Sequence, residues 1–276
     1  MPDTLTDRDG NQVNALYGFA DFLLNLLERE KPTHIACAFD ASLVTSYRNE
    51  IYPAYKANRE PAPPELKRQF QYCRDLVRAA GIAEFASTRY EADDIIGTFS
   101  RHMRRHGFQN VIVSGDKDLA QLLEQEDFCW EYAKDRRLDR KAVYKQFGVF
   151  PEQIADLLAL AGDAVDNIPG VPGVGVKTAA RILAKFGTLD NTLANIEKIG
   201  EMQFRGAKRV QDLIEQHQDA ARLSKRLTTI VDDENLPDHH ESLARQPSDR
   251  SWLSELFEQF GFGEFRRKRW LEVAGS

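Results

Sequence analysis

Cysteine is scarce: the 276 residues hold three, at positions 37, 73 and 129. They are far apart, odd in number and lack ligand spacing. That excludes a disulfide framework and a cysteine metal site, and reduced thiols in a cytoplasmic protein are expected. A basic excess is also lacking. Lys and Arg number 37 against 43 Asp and Glu, a net charge of -6, which by itself does not point to a nucleic-acid partner. Long apolar runs are missing. The run Phe22 to Leu27 is interrupted by Asn25 and cannot span a bilayer, so no membrane partner is expected. No basic stretch followed by an apolar one is found, so no signal peptide is expected. Internal repeats and low-complexity segments are absent. What is left is a folded, globular composition, 42% hydrophobic and 29% charged, long enough for two domains.

The charge is unevenly spread. Arg48 to Arg78 holds seven basic and four acidic residues, a local +3, and Asn167 to Ile230 holds ten and six, a local +4. The run Arg266-Arg267-Lys268-Arg269 adds to this. Against these basic surfaces stands Glu91-Ala92-Asp93-Asp94, three carboxylates in four residues at the start of a helix. Like charges this close repel, and a divalent cation with its preference for oxygen ligands is the simplest neutraliser. Taken alone the stretch also reads as a solvated acidic first turn, which the helix dipole favours.

Residues 1–13 are polar and turn-like, with Asp9-Gly10 as a turn. Leu16, Phe19, Leu23, Leu26 and Leu27 recur at helical spacing over 14–29, and Pro32 ends that helix. A buried strand over Ile35–Phe39 follows and ends on Asp40, where α/β sheets usually bind ligands. Residues 41–64 interleave Tyr52, Tyr55, Lys56 and Arg59 before a proline cluster, the composition of a mobile element with cations for phosphates and tyrosines for bases. An ordinary exposed loop has the same look. Pro64 opens a helix to Ala80 with Leu66, Phe70, Cys73, Leu76 and Val77 inward. Strands over 82–85, 111–113 and 128–132 alternate with helices at 91–103 and 119–123. That alternation predicts an α/β fold with a mostly parallel sheet covered by helices. Ser114-Gly115-Asp116-Lys117-Asp118 again places carboxylates just past a strand.

After Arg136 the pattern becomes all-helical. We therefore divide the chain into 1–136 and 137–276. Asp139 caps a helix to Phe147, Pro151 starts one to Ala161, residues 188–230 are helical, 231–250 are loop and 251–260 form a last helix. Between them lies Gly162-Asp163-Ala164-Val165-Asp166-Asn167-Ile168-Pro169-Gly170-Val171-Pro172-Gly173-Val174-Gly175-Val176-Lys177-Thr178. Its glycines allow a tight hairpin, and the amides that open the next helix suit a phosphate. It is neither a Walker A loop nor a dinucleotide fingerprint, because the spacing and the preceding strand are wrong.

These motifs, in this order over about residues 10 to 270, resemble the 5′ nuclease family, in particular the 5′–3′ exonuclease domain of bacterial DNA polymerase I and its stand-alone relatives. The resemblance implies a PIN-like domain followed by a helix-hairpin-helix DNA-binding region. It also implies hydrolysis of phosphodiesters near 5′ ends and at 5′ flaps, as in DNA replication and repair, using two ions, Mg²⁺ or Mn²⁺. By resemblance the metal ligands are Asp40, Glu91, Asp93, Asp94, Asp116, Asp118, Asp163 and Asp166. Asp40, Glu91 and Asp93 would lie nearest the first ion, Asp94, Asp116 and Asp118 would bridge or hold water, and Asp163 and Asp166, three apart on one side of a helical turn, would serve the second. Lys56 and Arg59 resemble cations that grip the scissile phosphate. Arg48, Tyr55, Gly173, Val174, Gly175, Lys177, Thr178, Arg205 and Lys208 are the further DNA contacts, to nicked or branched duplex and without sequence preference. In the family a K⁺ ion often bridges the hairpin carbonyls to a phosphate, and this hairpin permits it.

One element departs from the family pattern. An N-terminal strand ending in Asp, which supplies a central ligand there, has no counterpart here; Asp3, Asp7 and Asp9 sit in turn sequence. The sheet is then expected to lack its first strand and the site one carboxylate. Either the sequence starts downstream of the true start, or the short form binds branched DNA with weak or no cleavage. The eight retained acidic positions favour the first.

Overall fold

The computed structural model describes residues 5–41 and 45–274. In chain order these form α1 (Asn14–Glu30), β1 (Ala36–Asp40), α2 (Tyr47–Ile51), α3 (Pro64–Ala79), β2 (Ala83–Ser87), α4 (Ala92–Arg105), β3 (Val111–Val113), β4 (Phe128–Glu131) and β5 (Arg136–Leu138). Then follow α5 (Arg140–Phe147), α6 (Ile154–Ala161), α7 (Val176–Phe186), α8 (Leu189–Leu193), α9 (Ala207–Gln216), α10 (Gln218–Thr228), α11 (Arg250–Gln259) and α12 (Glu264–Val273). The chain divides into two units, one of Met1–Asp40, Pro61–Ser87 and Pro237–Ser276, the other of Ala41–Glu60 and Thr88–Leu236.

The first unit is built on α1 and α3. Leu16, Leu23 and Leu27 of α1 meet Cys73, Leu76 and Val77 of α3 and Phe257, Phe260 and Trp270 from α11 to α12 in one buried cluster. The helix starts need partners for their free amides. For α1 the partner is tertiary: Gln69 Oε1 accepts from the amides of Ala15 (2.8 Å) and Leu16 (3.3 Å). Gln69 is therefore buried, while Phe70, expected inside, is 46% exposed. Lys31 closes α1 in a left-handed conformation (φ 45°), and Pro64 opens α3 at its first position. β1 and β2 pair in parallel, and Asp40 stands at the last register position, opposite Ser87. In the opening turn Asp7 accepts the amides of Asp9 and Asn11, and Gly10 takes φ 81°; Asp3 lies outside the described residues.

The second unit has its own core. α6 is buried on every face, its residues apolar except for Asp156, which pairs with Lys225 of α10 at 2.7 Å, and it packs with α7 and α10. β3 pairs β4 in parallel, and β5, unforeseen in the sequence, adds antiparallel to β4. The apolar cluster runs from Ile112 of β3 through Leu157 of α6 to Ile230 without a break near residue 136. The helix expected at 119–123 is a 3₁₀ turn, Asp118–Leu122. Asp139 caps α5 as expected, accepting from the Ala142 amide at 2.7 Å.

Candidate active site

The second unit assembles its carboxylates from three stretches. The first is the start of α4, where Ile95, Phe99 and Met103 turn inward and fix the helix so that Glu91 stands at its N-cap and Asp93 and Asp94 in its first turn. The second is the turn after β3. Here Ser114 Oγ accepts from the Asp116 amide (3.0 Å), and Asp116 Oδ1 from that of Asp118 (2.9 Å). The third is the loop after α6, and its geometry corrects the expected helical turn. Asp163 and Ile168 pair backbone to backbone (3.0 and 2.7 Å), and Asp163 Oδ1 accepts from Val165 N–H at 2.8 Å. Asp163 and Asp166 thus sit on a turn closed by a β-bridge.

Two glycines make that turn possible. Gly162 and Gly170 have φ of 72° and 58°, and a Cβ on Gly170 would lie 2.2 Å from the Gly162 nitrogen. Only hydrogen fits there. Gly173 and Gly175, which drew notice in the sequence, have more room: a Cβ on Gly173 would meet Leu213 at 3.2 Å, with φ 85° the constraint that favours glycine there, and one on Gly175 meets nothing within 4 Å.

Glu91, Asp93, Asp118 and Asp166 line one small cleft of ≈ 10 Å³, together with Arg48 and Tyr55, about the room a single water needs. Burial, and then the charges of Asp116, Asp163 and Asp166, push the Asp118 carboxyl up to about 7. Its Oδ1 is buried with no hydrogen-bond partner among the described residues. An orphaned carboxylate oxygen among other carboxylates has the donor chemistry of a hard-cation site, so these residues fit divalent cations. Among the described residues, however, no three His, Cys, Asp or Glu side chains form a ready ligand group.

The chain's own cations hold the carboxylates instead. Lys56 Nζ lies 3.0 Å from Glu91 Oε2, Arg59 pairs with Asp166, and Lys117 Nζ lies 2.8 Å from Asp163. Burial alone would raise the Asp163 pKa, but the bonds from Lys117 and the Val165 amide outweigh it and hold the group below the usual carboxylate range. Arg48, 2% exposed, grips Asp94 with both terminal nitrogens (2.6 and 2.8 Å) and donates to the carbonyls of Leu227 (2.8 Å) and Thr229 (3.0 Å). Asp94 also accepts the amides of Glu91 (3.1 Å) and Val231 (3.0 Å).

This placement changes several expected roles. Asp94, fully buried with both oxygens engaged, acts as a structural anchor rather than a bridging ligand. Arg48 is its partner, and although it borders the cleft its guanidinium is committed to Asp94, the nearby Glu91 (3.5 Å) and two backbone carbonyls. The Tyr55 ring is buried, its hydroxyl donates to Glu91 at 3.0 Å, and burial and the Glu91 charge raise its pKa, so it does not offer a face to a base. The 45–60 segment is not a free loop: Asn49 donates to Tyr55 O (3.0 Å), Asn58 to Ala164 O (3.1 Å) and Asn167 to Ala54 O (2.7 Å). Val174 is 3% exposed, which leaves only its backbone for a ligand. Gly175 caps α7, where Lys177 is exposed and Thr178 partly so, and Arg205 and Lys208 at the start of α9 are exposed. Asp40 belongs to the other unit. Lys117 was missed by sequence reading although its place between Asp116 and Asp118 marks it. The 227–231 stretch carries no such mark.

Known proteins are similar to this chain. The family model described as "5'-3' exonuclease, N-terminal resolvase-like domain" matches residues 1–148, and "5'-3' exonuclease, C-terminal SAM fold" matches 149–251. The chain is 41% identical over 263 residues to DNA polymerase I of Bacillus caldotenax, covering 94% of this chain and 29% of that protein. It is 37% identical over 274 residues to DNA polymerase I of Mycobacterium leprae, covering 98% and 29%. The chain thus spans less than a third of the length of these relatives. Among solved structures, T5 5′-exonuclease with divalent metal ions (zinc) bound aligns with a TM-score of 0.66 at 18% identity, covering 96% of this chain and 93% of that one. The catalytic core of Rad2 in complex with DNA substrate aligns at 0.64 and 14%, covering 96% and 86%. At these identities the structural matches speak to the fold.

Proposed function

The chain belongs to the 5′–3′ exonuclease family, and from that membership we propose that it hydrolyses DNA phosphodiesters near 5′ ends and at 5′ flaps with the help of divalent cations. The observation that carries this reading is the cleft of the second unit, where Glu91, Asp93, Asp118 and Asp166 converge beside Asp116 and Asp163, and Asp118 keeps an orphaned oxygen.

Asp116, Asp118, Asp163 and Asp166, with Glu91 and Asp93, would hold two cations, Mg²⁺ or Mn²⁺. Bound divalent cations polarise a phosphoryl oxygen and lower the pKa of water. The chain's own residues do the rest. Lys56 and Arg59 meet the charge that builds on the scissile phosphate. Lys117 fixes Asp163, and Tyr55 fixes Glu91. The α7 amides behind Gly173–Gly175, with Lys177, Thr178, Arg205 and Lys208, hold duplex backbone without reading bases; a K⁺ ion on the hairpin carbonyls would add to that grip. In this division of labour, residues 1–136 carry the PIN-like chemistry and 137–276 the helix-hairpin-helix grip, although 88–136 share a core with the latter.

A second reading, binding of branched DNA with weak or no cleavage, draws on the absence of a ready three-ligand group among the described residues. Incubation with a 5′-flap duplex and Mg²⁺ separates the two. Release of the flap supports the nuclease. Tight binding of the duplex with no cleavage at any Mg²⁺ or Mn²⁺ concentration leaves only the binder.

A further inference from the structure

Two cations suited to DNA phosphate are occupied here by carboxylates suited to divalent cations. Lys56 is 9% exposed, with Nζ 3.0 Å from Glu91 Oε2 and 4.0 Å from Asp166 Oδ2. Arg59 pairs with the other oxygen of Asp166. The contact is built into the backbone. Lys56 N–H donates to Asp166 O at 3.0 Å, and Asn58 and Asn167 tie the same two loops together from either side. Lys56 itself takes φ 54°, a conformation a lysine keeps only where its surroundings hold it.

We propose that Lys56 and Arg59 are an exchangeable counter-charge. In the DNA-free protein they neutralise Glu91 and Asp166, and divalent cations and DNA phosphate bind cooperatively because each takes over one half of these ion pairs. The proposal rests on the nuclease reading, since it treats the same carboxylates as cation ligands and the same cations as phosphate contacts.

The reasoning is electrostatic. A Glu91 oxygen that accepts the Lys56 ammonium cannot offer the same lone pair to a metal ion. Glu91 is 5% exposed, so withdrawing Lys56 alone would leave a buried carboxylate with the neutral Tyr55 hydroxyl and the more distant Arg48, already committed to Asp94, a costly state. A cation entering without DNA must therefore displace Lys56 and Arg59 into positions without a partner. A phosphate entering without a cation must draw them from carboxylates that then lose their nearest cation. When both ligands arrive, every charge finds an opposite. Each ligand then raises the affinity of the other, and by thermodynamic necessity by the same factor. The cleft that Glu91 and Asp166 line holds only ≈ 10 Å³, and Lys56 and Arg59 occupy oxygens of those same two residues, so an ion that takes both carboxylates exchanges with the two cations. Lys117 stands apart from this pair: it bonds Asp163, and its side chain is half exposed.

The test is Mn²⁺ affinity of the full chain by isothermal titration calorimetry without DNA, for wild type, Lys56→Met, Arg59→Met and the double variant. Lys141→Met, on the exposed side of α5, controls for net charge. The double variant is expected to bind Mn²⁺ about 5- to 150-fold more tightly, the usual range for coupled sites, with the control unchanged. In stopped-flow anisotropy read before turnover, the factor by which Mn²⁺ tightens a 5′-flap duplex should fall towards one in the double variant. If Lys56→Met unfolds, the more exposed Arg59→Met carries the test alone. Variants that bind Mn²⁺ no more tightly than a wild type which binds it and cleaves the flap overturn the counter-charge and leave the nuclease standing. A wild type that neither binds Mn²⁺ nor cleaves overturns both.

Discussion

Replacing Asp94 by alanine should destabilise the protein rather than merely empty a ligand position. Asp94 is 0% exposed and its two oxygens accept four bonds, two from Arg48 and one each from the amides of Glu91 and Val231. Alanine would leave the Arg48 guanidinium, 2% exposed, with two backbone carbonyls and only the more distant Glu91 carboxylate, 3.5 Å away, for its charge. Removing one partner of a buried pair costs about 3–5 kcal/mol, because the remaining charge stays desolvated. For a chain of this size each kcal/mol lowers Tm by roughly 2–4 °C, so a fall of about 6–20 °C is expected by scanning calorimetry. The double replacement Arg48→Met with Asp94→Leu should recover much of the loss, since two matched apolar groups replace two matched charges. Mn²⁺ affinity of whatever remains folded should change little. An Asp94→Ala protein with an unaltered Tm and no Mn²⁺ binding would refute the structural role and restore Asp94 to the ligand set.

Three further outcomes are expected. Asp118 is an acid whose folded pKa lies above its ordinary 3.8, at about 7, so the folded state binds the extra proton between those values. Its contribution therefore worsens as pH rises from 4 to 7. The ceiling is about 4 kcal/mol, reduced because the group is partly exposed. Asp118→Asn should raise Tm at pH 8 and leave it unchanged at pH 3, and Mg²⁺ should raise the wild-type Tm more at pH 8 than at pH 5. Gly170→Ala forces a Cβ to within 2.2 Å of Gly162; urea titration should show a loss of more than about 1 kcal/mol, whereas Gly175→Ala, with open space around it, should be milder. Lys177→Ala and Lys208→Ala should each weaken duplex binding evenly across sequences and lower the salt slope by about one, read by anisotropy at several salt concentrations.

Much of the fold was legible because its signals are local. The leucine spacing of α1, the Pro64 start of α3, the Asp139 cap and the Val111-Ile112-Val113 strand depend on neighbours a few positions away. The misses have nonlocal causes. Phe70 has helical spacing for the core, yet Gln69 is turned inward because the amides of α1 need an acceptor. β5 exists because β4 offers it an edge, which nothing in Arg136-Arg137-Leu138 announces.

The same division holds at the site. By itself the sequence determined which residues bring carboxylate and cation chemistry, since Glu91, Asp93, Asp116, Asp118, Asp163 and Asp166 cluster in short motifs and Gly162 to Gly175 spells a tight loop. Tertiary structure alone decided which of those charges are spoken for. Arg48 meets Asp94 across 46 positions, and Val231 reaches the same carboxylate across 137. Such pairing depends on which groups lose water together in the folded chain. Burial makes one aspartate an anchor and leaves another, Asp118, with an oxygen still seeking a partner.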